Sequence, residues 1–461
     1  MSDAVQERVE TVPPILTPAD ERQHKIPPLI RRNTFLLALA QAFVGSGTQL
    51  TSVLTPIMVQ VLINSPVLFG LGTSLQGVGR LLVAYPIGYV TDRFGRRIGL
   101  AIGQSLCLIG ALLLSVSMYE KSLVLFIVGA LIFGLGIGAG QQLRLAAADM
   151  YLPRRRGEGL GYVLTGSLVG ALGAPILMTL GTSLADTAQL DPLIFIWFLL
   201  PLVVVPGMVL VWLIRPDPKT IAQNLSQFYP GYVAPPRSTS SDGPDSGFRG
   251  WATYFPLTSA FVSSFATQGV MSMMMAMTSL AMSHHGFALP LISISLSIHV
   301  IGMFGLSVPL GRLVDRLGRR NMMLLGVTIS AFGSVLVPNS SEYGIITCGT
   351  FLVGVGWSCV NVATSALIAD VVGPAERGRA TGTNDAFSMT SSIVMPLAAG
   401  PLVALAGLPS LSVLALMVLA APVLMLVRLR ESAPGQFDRA YARTAPALSD
   451  SATRYRDTIA S

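Results

Sequence analysis

Charge is scarce in this chain. Asp, Glu, Lys and Arg make up 11% of its 461 residues, against about 25% in a soluble domain. A deficit of that size over this length excludes a soluble protein with a single anchor and requires many apolar spans of about 20 residues. The 52% hydrophobic content and the mean hydropathy of +0.64 agree. Cysteine is scarce as well: Cys107, Cys348 and Cys359 all lie inside apolar runs, which excludes a disulfide framework. Residues 1–32 are polar and mixed in charge, without the apolar core of a cleavable signal. There is no phosphate-binding Walker loop, so ATP is not expected to drive anything here. There is no cysteine–histidine cluster of catalytic type either, so no enzyme is expected.

What is present is a series of apolar runs separated by short basic loops. Twelve spans are predicted, at 34–62, 67–90, 98–118, 122–150, 159–181, 192–214, 256–281, 290–312, 321–338, 343–371, 382–406 and 409–428. They imply an all-α integral membrane protein of two six-helix bundles, at 34–214 and 256–430. Residues 1–33 form an N-terminal tail. Residues 215–255, rich in Pro, Ser, Asp and Gly, read as a linker, and residues 431–461 as a disordered tail. The formal charge of +7 does not point to nucleic acid, because nearly all Lys and Arg lie in loops on one side. The exceptions are Lys121 and the in-span Arg80 and Arg144. By the positive-inside rule that side is cytoplasmic, along with both termini and the linker.

The halves repeat one another. Gly88, Asp92, Arg93, Gly95, Arg96 and Arg97 recur in the same spacing as Gly311, Asp315, Arg316, Gly318, Arg319 and Arg320. Asp149, Pro153, Arg156, Gly157 and Gly161 recur as Asp370, Pro374, Arg377, Gly378 and Gly382. Two related bundles suit a transporter that rocks around a central site. Gly88 and Gly311 are expected to allow close helix packing, and Gly95 and Gly318 a tight turn. Asp92, Arg93, Arg96, Asp149, Asp315, Arg316, Arg319 and Asp370 are expected to form a cytoplasmic gate latch. Arg144, five residues before Asp149, and Asp385, a few residues into the eleventh span, belong with that gate.

With the loop Gly-x-x-x-Asp-Arg-x-Gly-Arg-Arg occurring twice, the sequence resembles the major facilitator superfamily over residues 34 to 428. The resemblance implies a secondary transporter working by alternating access. A fold does not name its cargo, so polar and soft groups inside the spans carry that question. No Asp or Glu lies near a span centre.

The seventh span reads Met271-Ser-Met273-Met274-Met275-Ala-Met277, and the eighth carries His299 and Met303. Met271 and Met275 share a helix face, as do His299 and Met303. At the helical rise, Met271 lies about 15 Å and His299 about 13 Å from the outer ends of their spans. Thioether with imidazole is a ligand set that suits Cu(I). Met282, His284 and His285 stand at the outer mouth as a capture point. Met-x-x-x-Met followed by His-x-x-x-Met in the next span resembles the CcoA-like bacterial copper importers. That resemblance implies a bacterial inner-membrane protein importing copper for cytochrome oxidase assembly. Copper is then the transported substrate, handed to a cytoplasmic acceptor, with no cofactor permanently bound. Met273 and Met277 fit the first pattern equally well.

The same residues admit another reading. Methionine is a flexible gap-filler of adaptable cavities, and Arg80, with Gln76 on the same face, can anchor an organic anion. Gln41, Thr48, Gln49, Gln141, Gln142, Gln268, Trp357 and Asn361 then line a cavity for a small organic solute. Members near the copper branch are associated with riboflavin, which makes a flavin-like compound the alternative cargo.

Overall fold

The computed structural model describes residues 25–152, 155–230, 254–372, 376–433 and 436–437. Helices cover every predicted span. The first half comprises α1 (Pro28–Ile63), α2 (Leu71–Phe94), α3 (Arg96–Glu120), α4 (Leu123–Gly140) continued by α5 (Gln142–Asp149), α6 (Arg156–Thr187) and α7 (Pro192–Leu213). Two short helices follow, α8 (Pro218–Gln223) and α9 (Leu225–Phe228). The second half comprises α10 (Phe255–His284), α11 (Leu289–Val300) with a π-helical turn at Ile301–Gly305, α12 (Ser307–Leu317), α13 (Arg319–Leu336), α14 (Tyr343–Val371), α15 (Arg377–Ala406) and α16 (Ser410–Arg428). A two-stranded antiparallel hairpin, β1 (Glu431–Ala433) and β2 (Gln436–Phe437), closes the described chain.

Among the described residues nine helices are long and apolar enough to cross a membrane, or ten if α11 and α12 count as one bent span. The helices over the second and ninth predicted spans, α2 and α13, fall outside that group. Composition explains it: α2 carries Gln76, Arg80, Asp92 and Arg93, and α13 is 18 residues long and opens on Arg319, Arg320 and Asn321. Between α11 and α12 the chain bends by 51° at the π-helical turn, with Pro309 four residues beyond Gly305; a π-turn and a proline are both irregularities that kink a helix. Prolines inside other helices are tolerated because neighbouring hydroxyls take up freed backbone groups. The Ala171 carbonyl, which loses its helical donor at Pro175, accepts from Ser297 Oγ at 2.6 Å.

Small residues set the packing within each half. A Cβ on Gly138 would lie 2.8 Å from Arg80 Cα, and one on Gly333 would lie 2.9 Å from Val353 N. The predicted linker and tail are ordered at their starts. In α8 and α9, Ile221 and Leu225, followed by Tyr229, pack with Ile30, Met150, Tyr151 and Leu152 in a core of the first half. Residues 1–24, 231–253 and 438–461 lie outside the described residues.

The two halves touch at the end away from the arginines. Ser74 Oγ donates to the Ile393 carbonyl at 2.7 Å, Ser297 Oγ to the Ala171 carbonyl at 2.6 Å, and Ser279 Oγ to the Ser52 carbonyl at 3.2 Å. At the arginine-rich end they stand apart. Added Cβ atoms on Gly88, Gly157, Gly161, Gly311, Gly378 and Gly382 would meet nothing within 4 Å. This corrects the expectation for Gly88 and Gly311, which are packed against no neighbour, because the faces they sit on are parted. The expectation for Gly95 and Gly318 fits the backbone: their φ values of +107° and +85° lie in the region that favours glycine.

Candidate functional site

At the arginine-rich end each half builds the same network. Arg96 Nε donates to Asp149 Oδ2 at 2.8 Å, with Asp92 Oδ1 at 3.4 Å from another guanidinium nitrogen. Arg319 Nε donates to Asp370 Oδ2 at 2.7 Å, with Asp315 at 3.5 Å. Six of the eight latch residues therefore meet, in two triads, each inside its own half. Arg93 and Arg316 stand outside them. Arg93 is exposed, donating to the Tyr89 hydroxyl at 2.7 Å and lying over the Phe94 ring, and Arg316 is exposed on α12.

Each triad has a partner that the motif does not show. Asp217, just past α7, accepts from the backbone amides of Arg96 at 3.1 Å and Arg97 at 2.9 Å. Glu431, just past α16, accepts from those of Arg319 at 2.9 Å and Arg320 at 2.8 Å. A carboxylate on the first turn of a helix satisfies donors that have no intrahelical partner and complements the helix dipole. Lys219 Nζ donates to the Asp92 carbonyl at 2.6 Å, tying the end of α2 to the same clasp. The available signal was positional: each is the first acidic residue after the last helix of its half. Nearby, burial raises the phenol pKa of Tyr151 and of Tyr229 above the ordinary tyrosine value, and Tyr229 donates to the Met150 carbonyl at 3.3 Å.

Inside the helical bundle, His299 is fully buried and faces α14. Its Nδ1 lies 2.6 Å from the Thr350 carbonyl and its Nε2 has no partner. That bond fixes Nδ1 as the protonated nitrogen and leaves the Nε2 lone pair free. Met303, within the π-helical turn, and Met271 are buried; Met275 is half-buried. Met273 and Met277 are buried too. At the far end Met282 is fully buried, whereas His284 and His285 are exposed. Its place on the inward face of α10 separates Met282 from the surface trio expected there. His284 meets Phe69 edge-on and lines a cavity of about 300 Å³ with Gln60 and Asn64. Among the described residues no group of three or more His, Cys, Asp or Glu is placed to hold a metal ion.

Several residues of the alternative set do come together. Trp357 Nε1 donates to Gln268 Oε1 at 2.6 Å, and Gln268 Nε2 donates to Ser392 Oγ at 3.0 Å, which also accepts from Ser272. The Phe304 ring stands edge-on to Trp357, with centroids 5.9 Å apart. Trp357, Gln268 and Phe304 are half-buried and Asn361 is exposed, so this belt is not sealed into the core. In the other half Arg80 makes no ion pair with any described residue, and its buried Nε has no hydrogen-bond partner. Gln76, one turn away, donates to Thr55 Oγ1 at 3.4 Å. Gln41 is tied to Ser167 at 2.9 Å, while the buried Gln49 amide nitrogen has no partner.

A bundle of apolar helices in two repeated halves, parted at one end and joined at the other, defines a multi-pass membrane transporter and not an enzyme. The chain belongs to the Major Facilitator Superfamily, whose model matches residues 37–239 and 257–454. It is 26% identical over 379 residues to the uncharacterized MFS-type transporter YddS of Bacillus subtilis, spanning 82% of this chain and 86% of that one. It is 25% identical over 357 residues to the riboflavin transporter RfnT of Brucella anthropi, spanning 77% and 85%. The fold is shared with the nucleoside transporter NupG, at a TM-score of 0.63 and 15% identity over 87% of this chain and 98% of that one.

Proposed function

We propose that this transporter carries a small organic solute of the flavin class, a flat polar ring bearing carbonyl or anionic oxygens. The observation that carries the proposal is Arg80, a guanidinium within the bundle whose buried Nε has no partner. An arginine at membrane depth is costly and marks a functional site unless something pairs with it. A solute oxygen supplies that pairing, through a charge-assisted hydrogen bond. Trp357 and Phe304 offer a stacking face, and Gln268, held by Trp357 and Ser392, an oriented amide edge. The resemblance to the riboflavin transporter RfnT supports the same class. The chain then sits in a bacterial inner membrane with both termini cytoplasmic, and the solute moves inward. The test is radiolabelled riboflavin uptake in a bacterial strain lacking its own flavin importer. Uptake by wild type that Arg80→Gln removes supports the reading; no uptake by well-expressed wild type ends it for riboflavin.

A second reading, copper import, is favoured by His299. A ligating histidine commonly donates its second ring nitrogen to a carbonyl, and His299 does so to Thr350 while Nε2 stays free. Met271, Met275 and Met303 are the thioethers that join it, with His284 and His285 as outer capture and a cytoplasmic acceptor receiving the ion. Radioactive copper uptake, lost in both His299→Gln and Met271→Leu, is the result this reading requires. Absence of copper uptake by wild type removes it.

A further inference from the structure

The clasped first turns of α3 and α13 each carry a second arginine, and the two are engaged differently. Arg320 donates from Nε to the Leu426 carbonyl at 2.9 Å and from Nη2 to the Val427 carbonyl at 3.2 Å, at the end of α16. The Arg97 side chain donates from Nη2 alone, to the Trp212 carbonyl at 2.6 Å at the end of α7, and its Nε has no partner. Its guanidinium lies over the Trp212 ring, 4.9 Å from the centroid. The second half has Val427 where the first has Trp212. The next carbonyl, that of Leu213, accepts from Arg32 Nη2 at 3.4 Å, whereas α10, the counterpart of α1, carries no Lys or Arg. Asn33 Nδ2 donates to the Arg215 carbonyl at 3.3 Å, which brings the exposed Arg215 to the same corner.

Arg32, Arg97 and Arg215 thus gather at one corner of the first half, and none of them forms an ion pair with any described residue. The carboxylates at this end are engaged elsewhere. Asp92 and Asp149 are held by Arg96, and Asp217 by the backbone amides of Arg96 and Arg97. The corner stands at the end of an apolar face. On α7, Phe198, Leu202, Val205, Val209 and Trp212 are all exposed and recur at helical spacing on one side. They run about 21 Å along the helix, more than half of a hydrocarbon core of about 30 Å. An exposed apolar face of that length on a spanning helix meets lipid chains. It ends on a tryptophan, the residue that sits at headgroup level. Because α7 packs on both α1 and α3, Arg32 and Arg97 reach its last turn from two sides.

We propose that this corner binds the headgroup of an anionic phospholipid, in the leaflet at the arginine-rich end. The phosphate accepts from Arg32, Arg97 and Arg215, and an acyl chain lies along the exposed face of α7. Guanidinium groups suit the purpose, since they match phosphate geometry and stack on aromatic rings. A headgroup with net negative charge is selected, because the ammonium of a zwitterionic lipid would stand against the same arginines. The lipid supplies acceptors of the kind that Arg320 takes from its own backbone, and it fastens α1 to α3 across the end of α7. A free anion would use the guanidiniums alone; the apolar face that runs up to them points to a lipid. The site belongs to the first half, for the second has neither the tryptophan nor the arginine on its opening helix.

The test reads Trp212 itself. Delipidated protein in a neutral detergent is titrated with phosphatidylglycerol or with phosphatidylcholine, both carrying the same brominated chains, which quench tryptophan fluorescence on contact. The part of the signal that is missing in Trp212→Phe belongs to Trp212. In wild type, phosphatidylglycerol should quench it at a lipid fraction lower by roughly tenfold or more, the effect of a few arginines near a headgroup. Arg32→Gln should reduce that preference, and Arg32→Gln with Arg97→Gln should abolish it. Arg97→Lys should keep part of it, and Arg320→Gln should leave it whole. Arg32→Gln removes one 3.4 Å bond and keeps the test decisive even where Arg97→Gln fails to fold. Equal quenching by the two lipids in wild type, a full preference in Arg32→Gln, or the same loss in Arg320→Gln overturns the proposal. Displacement of the lipid by inorganic phosphate alone would make this a site for a free anion, and the lipid assignment would fall. None of these outcomes depends on whether the cargo is a flavin or copper.

Discussion

The Asp217 carboxylate sits on the backbone amide of Arg97 at 2.9 Å, 120 residues earlier in the chain. Glu431 repeats the arrangement on Arg320 at 2.8 Å. The stretch of chain that leaves each bundle thus returns to clasp the first turn of that bundle's third span, α3 in the first half and α13 in the second. The Arg96 and Arg319 triads stand directly on these clasped turns.

Removing a clasp should loosen the half that carries it. Asp217→Ala and Glu431→Ala are each expected to cost about 1–2 kcal/mol, the range for a lost helix cap. Asp217→Asn should cost less, because an amide oxygen still accepts. Thermal unfolding of the detergent-solubilised protein measures this. Unchanged melting in both alanine variants would count against the clasp.

Gly88 and Gly311 face open space here, so a larger side chain fits the parted state. Gly88→Leu and Gly311→Leu should therefore leave melting within about 0.5 kcal/mol of wild type, as surface changes do, and yet abolish transport by propping the arginine-rich end open. Gly138→Leu should behave oppositely. Its Cβ would meet Arg80 Cα at 2.8 Å, and overpacking costs about 1–3 kcal/mol or more. Parallel melting and uptake measurements separate the cases, and full transport by Gly88→Leu would contradict the reading of that face.

Arg80→Gln and His299→Gln distinguish the two cargoes. A charge-assisted hydrogen bond is worth about 1.5–3 kcal/mol, roughly tenfold to a hundredfold in affinity. Arg80→Gln should raise the KM for a flavin by that factor and leave copper uptake intact, while His299→Gln should do the reverse. Equal loss of both uptakes in both variants would point to damaged folding and support neither cargo.

Trp357→Phe keeps a ring beside Phe304 but removes the donor to Gln268 Oε1. One neutral hydrogen bond contributes about 1 kcal/mol, so flavin KM should rise several-fold with little change in the maximal rate. Trp357→Ala, which removes the stacking face as well, should lose much more. Concentration-dependent uptake checks the order, and identical kinetics in wild type and Trp357→Phe would show that the Gln268 amide does not meet the solute.

Hydropathy was enough to place a helix over every predicted span, because a long apolar run has few other ways to satisfy its backbone in lipid. The repeated loop placed Arg96 between Asp92 and Asp149, and Arg319 between Asp315 and Asp370, since spacing along adjacent helices largely dictates that contact. Spacing does not reveal what lies on another helix. The bond from Trp357 to Gln268 joins α14 to α10, and that from His299 to Thr350 joins α11 to α14; neither has a signature along the chain. Met282 adjoins His284 in sequence, but half a helical turn sends it into the core. Asp217 and Glu431 were hidden because they sit in polar stretches without periodicity, where nothing marks one acid from the next. The glycines of the repeated loop could be read as a packing face, but not as a face parted in this arrangement.

Because Asp217 fastens the first bundle and Glu431 the second, each half ends in its own clasp. α8 and α9 belong with the first bundle, for Ile221, Leu225 and Tyr229 pack into its core. The duplicated module is therefore six spans and a closing strap, and the strap comes from the module's own chain. Cutting the polypeptide between 230 and 254 should give two fragments that fold separately and reassemble when produced together in one membrane.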